Sequence, residues 1–106
     1  MFDFMLKEDS KMIKANDMDN LIGKVELIDI REPYEFKNGS LKNEKNISME
    51  HILTNPDKYL SKDKKYYIMC HSGARSGRTT RELTRKGYNV INIEGGMISY
   101  TGTKRI

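Results

Sequence analysis

The sequence predicts an α/β fold: a mainly parallel central sheet flanked by short helices on both faces. Short apolar runs rich in branched or aromatic residues recur at 25–30, 66–70 and 88–93. Between them lie segments with helical start and stop signals, marked by Pro33, Pro56, Gly39 and Gly87. Strands alternating with short helices indicate parallel βαβ units. The first two runs are almost continuously apolar, as strands covered on both faces must be.

The elements follow in chain order. Met12 and Ile13 read as an edge strand, and Asn16 as the cap of a helix carrying Met18, Leu21 and Ile22. Residues 25–30 form a buried strand. Pro33 then opens a short helix that Gly39 stops. Residues 40–46 form a polar connection. Ser48 caps a helical turn over 49–53, and Asn55-Pro56 starts another that runs to Leu60. A lysine-rich turn, 62–65, precedes the strand 66–70. Residues 76–86 form the main helix, with Gly87 as its left-handed stop. Its inward face is Ser76, Thr79, Thr80 and Leu83, while Arg78, Arg81, Arg85 and Lys86 face out. A strand at 88–93, a turn at Glu94-Gly95-Gly96 and a last helix over 97–100 complete the chain.

Composition bounds what such a chain does. Its 106 residues, 37% hydrophobic and 32% charged, are expected to form one domain spanning 1–106. Surface scaling puts about two-thirds of the chain's surface inside, enough for one modest core. Mean hydropathy is -0.72, and no apolar run approaches the ~20 residues of a membrane helix. The opening 1–6 lacks the basic start, long apolar stretch and cleavage site of a secretory signal. The one cysteine, Cys70, rules out an internal disulfide, and with only His51 and His71 beside it no structural zinc set is available. A free thiol without an export signal points to the cytoplasm. Charge is uneven. Residues 1–56 hold 8 Lys/Arg against 11 Asp/Glu, and residues 57–106 hold 11 against 4. The cysteine lies in the positive half.

Cys70-His71-Ser72-Gly73-Ala74-Arg75-Ser76 joins a strand to a helix. Such a junction points several backbone N–H groups at one spot, and the helix N-terminus adds partial positive charge. An anion there is stabilised, and so is a Cys70 thiolate, with Arg75 adding its charge. A lone cysteine ending an apolar strand is usually a buried small side chain. The small polar residues after it, the glycine and the arginine argue instead for a reactive thiol. Position beyond the carboxyl end of a strand, where ligands bind in open α/β sheets, agrees.

Three motifs resemble the single-domain rhodaneses, a sulfurtransferase family. The loop 70–76 has the family's cysteine, four residues, arginine, serine pattern. Asp29-Ile30-Arg31 with Glu35-Phe36 is similar to its Asp-x-Arg followed by Glu-Phe/Tyr. Glu94-Gly95-Gly96-Met97 is similar to its Gly-Gly turn before the last helix. The resemblance covers about residues 12–100. Two departures stand out. Gly39-Ser40-Leu41 replaces a Gly-His-Ile-x-Gly-Ala run, so that histidine is missing and the cleft rim is rebuilt. Tyr100 stands where the last helix usually carries tryptophan.

The resemblance implies a rhodanese-like fold and a two-step sulfur transfer through a Cys70 persulfide. Cys70 is the implied catalytic residue, and His71, Ser72, Gly73, Ala74, Arg75 and Ser76 line the substrate. Arg75 either holds a donor oxygen with its planar fork or braces the loop. Arg78 adds to the field at the mouth, or is a solvated helix charge. His71 lines the rim. Asp29, Arg31 and Glu35 are structural supports, with Glu35 placed to pair with Arg31 four residues earlier. The implied partners are a small anionic donor such as thiosulfate and a thiol or protein acceptor, with no cofactor, metal, membrane or nucleic acid. Two other readings belong to the same fold. A non-catalytic binding or regulatory module usually loses the cysteine, which this chain keeps with the arginine. A sulfur carrier for RNA modification would use the basic stripe Arg75, Arg78, Arg81, Arg85 and Lys86, which has no interleaved aromatics. Phosphatases of the fold use a loop one residue longer, leaving room for tetrahedral phosphate.

Overall fold

The computed structural model describes residues 11–106; the opening 1–6, read above for a signal sequence, lies outside them. Five parallel strands form one sheet in the order β1-β5-β4-β2-β3. They are β1 (Met12–Lys14), β2 (Glu26–Asp29), β3 (Lys45–Asn46), β4 (Lys65–Met69) and β5 (Asn89–Glu94). The helices are α1 (Pro33–Lys37), α2 (Met49–Thr54), α3 (Pro56–Tyr59), α4 (Ala74–Arg85) and α5 (Gly96–Ser99), with a 3-10 turn at Ala15–Met18. The expected α/β architecture with a parallel sheet is what forms.

Strand periodicity divides the core into two layers. Ile28, Tyr66, Ile68 and Val90 point to one face and meet Ile52 of α2 and Leu83 of α4. Leu27, Tyr67, Met69 and Ile93 point to the other and meet Ala15, Met18, Met97 and Tyr100. Successive strand residues project to opposite faces, so Tyr66 and Tyr67 serve different layers. The register Ile28↔Ile68 and Tyr66↔Val90 aligns the first layer across three strands. On α4 the buried residues are Ser76, Thr79, Thr80 and Leu83, the expected inward face. Leu83 fills the space between this helix and the sheet.

Three local departures have clear causes. Lys45–Asn46 forms a fifth strand inside the stretch read as a polar connection. Its backbone pairs with β2, and Asn46 Nδ2 donates to the carbonyls of Asp29 and Arg31, both at 3.0 Å. Asn16 lies within the 3-10 turn rather than capping a helix, and its Oδ1 accepts from the Thr101 N–H at 2.8 Å. Helix α4 starts at Ala74, two residues earlier than expected, because Gly73 takes a left-handed φ of 100° as its N-cap.

Candidate active site

Cys70 follows β4 directly, at the carboxyl edge of the sheet. Its residue is 1% exposed, and the chain after it curls so that the first turn of α4 faces the sulfur. Sγ accepts the Gly73 N–H at 3.0 Å and the Ser76 N–H at 3.4 Å, and lies 3.2 Å from Ser76 Oγ. Backbone amides at a helix N-terminus carry partial positive charge and stabilise negative charge on the atom they face. Gly73 makes the curl possible twice over. Its backbone is left-handed, and a Cβ there would lie 2.9 Å from the Gly95 nitrogen. Gly96 is more constrained still. A Cβ on it would sit 2.5 Å from the carbonyl oxygens of both Cys70 and His71. These two carbonyls accept the Met97 and Ile98 N–H groups at 2.9 and 3.0 Å, locking α5 onto the cysteine loop.

The loop's other residues fall into distinct surroundings. His71, Ser72 and Ala74 are exposed. Ser76 is fully buried beneath the sulfur, where it reaches the sulfur but not the open mouth. His71 lines a cleft of about 270 Å³ together with Arg31, Glu35, Met97, Ile98 and Arg105. Arg78 projects to solvent on α4 and approaches Glu82 at 3.7 Å. Exposed Tyr34 and Ile98 stand on α1 and α5, the two helices that flank this cleft.

Arg75 turns toward α1. Its Nη1 and Nη2 donate to Glu35 Oε1 and Oε2, both at 2.9 Å. Glu35 Oε1 also accepts the Glu32 N–H at 2.9 Å, closing a capping box at the start of α1. Hydrogen bonding from Arg75 holds the Glu35 carboxyl down at about 2. The Arg75 pKa rises in turn, through Glu35 first and with a smaller contribution from Cys70, so guanidinium and sulfur share one field.

Glu35 therefore pairs with Arg75, not with Arg31 as the local spacing suggested. Arg31 is already engaged: Nη2 and Nε donate to Asp29 carboxylate oxygens at 2.8 and 3.0 Å, and Nη2 reaches the Gly39 carbonyl at 2.7 Å. Burial works against the Arg31 charge, but Asp29 outweighs it and raises the pKa. Asp29 and Arg31 thus tie the end of β2 to the turn after α1. Beside them, Glu44 accepts the Leu41 N–H through Oε1 while its Oε2 is buried without a partner. Burial, then the charge of Asp29, pushes the Glu44 carboxyl up to about 8.

Two contributors carried no motif. Glu44 reads as an ordinary charge in a polar stretch. Asn92 reads as a strand residue, yet its Oδ1 accepts from Ser76 Oγ at 2.5 Å. The one available signal was an asparagine amid Val90, Ile91 and Ile93, since asparagine is depleted in strands. Among the described residues no cluster of His, Cys, Asp and Glu could hold a metal ion, and no helix is long and apolar enough to cross a membrane.

Comparison with known proteins follows the same lines. A family model described as Rhodanese-like domain matches residues 11–103. A putative sulfurtransferase of Bacillus subtilis, YtwF, is 38% identical over 78 residues, covering 72% of this chain and 73% of its own. A tRNA uridine(34) hydroxylase of Bdellovibrio bacteriovorus is 37% identical over 79 residues, 70% of this chain but only 23% of that protein. The crystal structure of a rhodanese-related protein from Thermoplasma volcanium superposes with a TM-score of 0.81 at 34% identity, covering 91% of this chain and 97% of that one.

Proposed function

The chain belongs to the rhodanese-like domain family, and from that premise we propose that it moves sulfane sulfur from a thiosulfate-like donor to a thiol or other thiophilic acceptor. Cys70 thiolate attacks the outer sulfur of the donor. The donor's S–S bond breaks, sulfite leaves with the electron pair, and an anionic Cys70 persulfide remains. An acceptor thiolate or cyanide then attacks the outer sulfur, and Cys70 departs as thiolate. Charge balances in both steps, and neither needs an oxidant or a metal.

The observation that carries this reading is the sulfur at the mouth of α4, facing the Gly73 and Ser76 N–H groups. The thiolate's charge sits on this sulfur and the persulfide's on the sulfur attached to it, beside the same helix N-terminus, where preorganised amides stabilise an anion. Arg75 acts by bracing the loop against Glu35, with its charge contributing at a distance. The short loop of four residues between Cys70 and Arg75 supports a sulfur cargo over phosphate. His71 and the adjacent cleft form the surface on which an acceptor meets the outer sulfur.

The test is intact-mass spectrometry after incubation with thiosulfate, beside an assay on an aryl phosphate. The expected result is a gain of one sulfur atom that cyanide discharges and that Cys70→Ser abolishes while keeping the fold. Phosphate release without sulfur gain would replace this reading by phosphatase action. Neither signal would mean a binding module.

A further inference from the structure

Ser76 owns one hydroxyl proton and has three acceptors within reach. Asn92 Oδ1 is at 2.5 Å, the Gly73 carbonyl at 3.2 Å and Cys70 Sγ at 3.2 Å. A hydroxyl donates once. The shortest contact takes the proton, and the Ser76 oxygen then turns lone pairs toward the sulfur. That arrangement suits a neutral thiol, whose S–H can donate to the oxygen. It offsets part of what the Gly73 and Ser76 N–H groups give a thiolate, because those lone pairs face the sulfur where little water reaches: Ser76 is 0%, Cys70 1% and Asn92 8% exposed. The same sulfur must carry negative charge at both ends of each transfer, as attacking and as departing thiolate, if it works as proposed above.

We propose that Asn92 is a positioning residue that directs the Ser76 proton, its side-chain amide turning to present N–H to Ser76 Oγ so that the hydroxyl donates to Cys70 as the sulfur becomes anionic. No covalent bond changes and the proton stays on Ser76. The amide's oxygen and nitrogen ends are nearly equal in size, so the turn keeps the packing. Gly77 lies beside the amide, where even an added Cβ would come no nearer than 3.4 Å to Asn92 Nδ2. Asn92 rides on β5, paired at Ile68↔Asn92 and Met12↔Asn92 and so held from both sides. A donor-or-acceptor side chain at this position explains an asparagine that strand propensity disfavours.

The proposal's place in sulfur transfer rests on the function proposed above, but its test does not. The pH dependence of Cys70 alkylation by iodoacetamide is measured in the wild type, Asn92→Asp, Ser76→Ala and the double variant. Aspartate only accepts, so it holds the Ser76 proton permanently away from the sulfur. Its charge raises the alkylation midpoint in either background. Proton direction adds a further rise, about one pH unit, only while Ser76 is present. Arg75 and Glu35 are unchanged throughout, so their fields cancel. Asn92→Leu, which neither accepts nor donates, loses that direction and is expected to titrate between wild type and Asn92→Asp; a wild-type midpoint would show that the amide directs nothing and overturn the proposal. Equal shifts from Asn92→Asp with and without Ser76 would overturn the proposal, as would a midpoint for Asn92→Leu as high as that for Asn92→Asp. A protein that gains no sulfur from thiosulfate yet shows the Ser76-dependent shift would refute the sulfurtransferase reading alone.

Discussion

Breaking the clamp between Glu35 and Arg75 has a size that the geometry sets. Both N–O contacts are 2.9 Å, with the Glu35 side chain 20% and the Arg75 side chain 37% exposed. Two unit charges about 4 Å apart attract by about 4 kcal/mol at an effective dielectric of 20 and about 1 kcal/mol in water. Arg75's exposure places the pair toward the aqueous end, where measured pairs contribute roughly 0–1 kcal/mol. The bidentate fork adds to that. A coupling of about 1.5 kcal/mol is therefore expected from a double-mutant cycle of Glu35→Gln and Arg75→Gln, read by urea unfolding at pH 7. Its pH dependence has a fixed sign. The Glu35 carboxyl is held at about 2 in the fold against an ordinary 4.5. On acidification the unfolded chain takes up the proton first, so the contribution is whole above about pH 5 and drains away toward pH 2. A coupling below about 0.3 kcal/mol at pH 7, within ordinary additivity, would refute the reasoning. So would one that stays constant as pH falls from 5.

Three further outcomes are expected. Leu83→Ala, at a position with 0% exposure between α4 and the sheet, should cost about 3 kcal/mol by leaving a cavity, measured by urea unfolding. Gly96→Ala should lower the melting temperature and change the rate of Cys70 alkylation. Its φ of 60° is left-handed, and its new methyl would press on the carbonyls of the cysteine loop. Glu44→Gln should flatten part of the pH dependence of stability. Wild-type Glu44 titrates at about 8 in the fold and ordinarily at 4.5, so wild-type stability falls between those values as the unfolded chain sheds its proton first. At pH 8 the variant should be the more stable, by an amount on the order of 2 kcal/mol. Wild-type stability that is level over this interval would count against the buried carboxyl.

What the sequence disclosed follows from the range of the forces involved. The strands at 26–29, 65–69 and 89–94 were legible because short apolar runs of branched and aromatic side chains are local signals. The inward face of α4 was legible for the same reason at helical period. Pro33, Gly39 and Gly87 punctuated as expected because backbone sterics act within a residue or two. Long-range choices were not legible. Spacing made Arg31 the natural partner of Glu35, but Asp29 claims Arg31 and Arg75 arrives from 40 positions away. β3 consists of a lysine and an asparagine, neither a strand former, and exists through pairing with β2. Asn16 has the chemistry of a cap and caps something else, the Thr101 amide. The cysteine loop stood out as a motif, but the asparagine that touches its serine came from another strand and had no pattern to announce it.

The placement of β1 at one edge of the sheet bears on how the chain reaches its fold during synthesis. Met12 pairs with Asn92 and Lys14 with Glu94, so the earliest strand docks beside the last. A ribosome releases Met12 long before Asn92 exists. β2 and β4 can join once Met69 has emerged, but the first strand must wait, unpaired, for nearly the whole chain. Contacts of such sequence separation slow folding, because loop closure must precede the gain. While it waits, the amino-terminal segment is open to chaperones and proteases. The β1–β5 ladder is therefore expected to be among the last parts of the sheet to close.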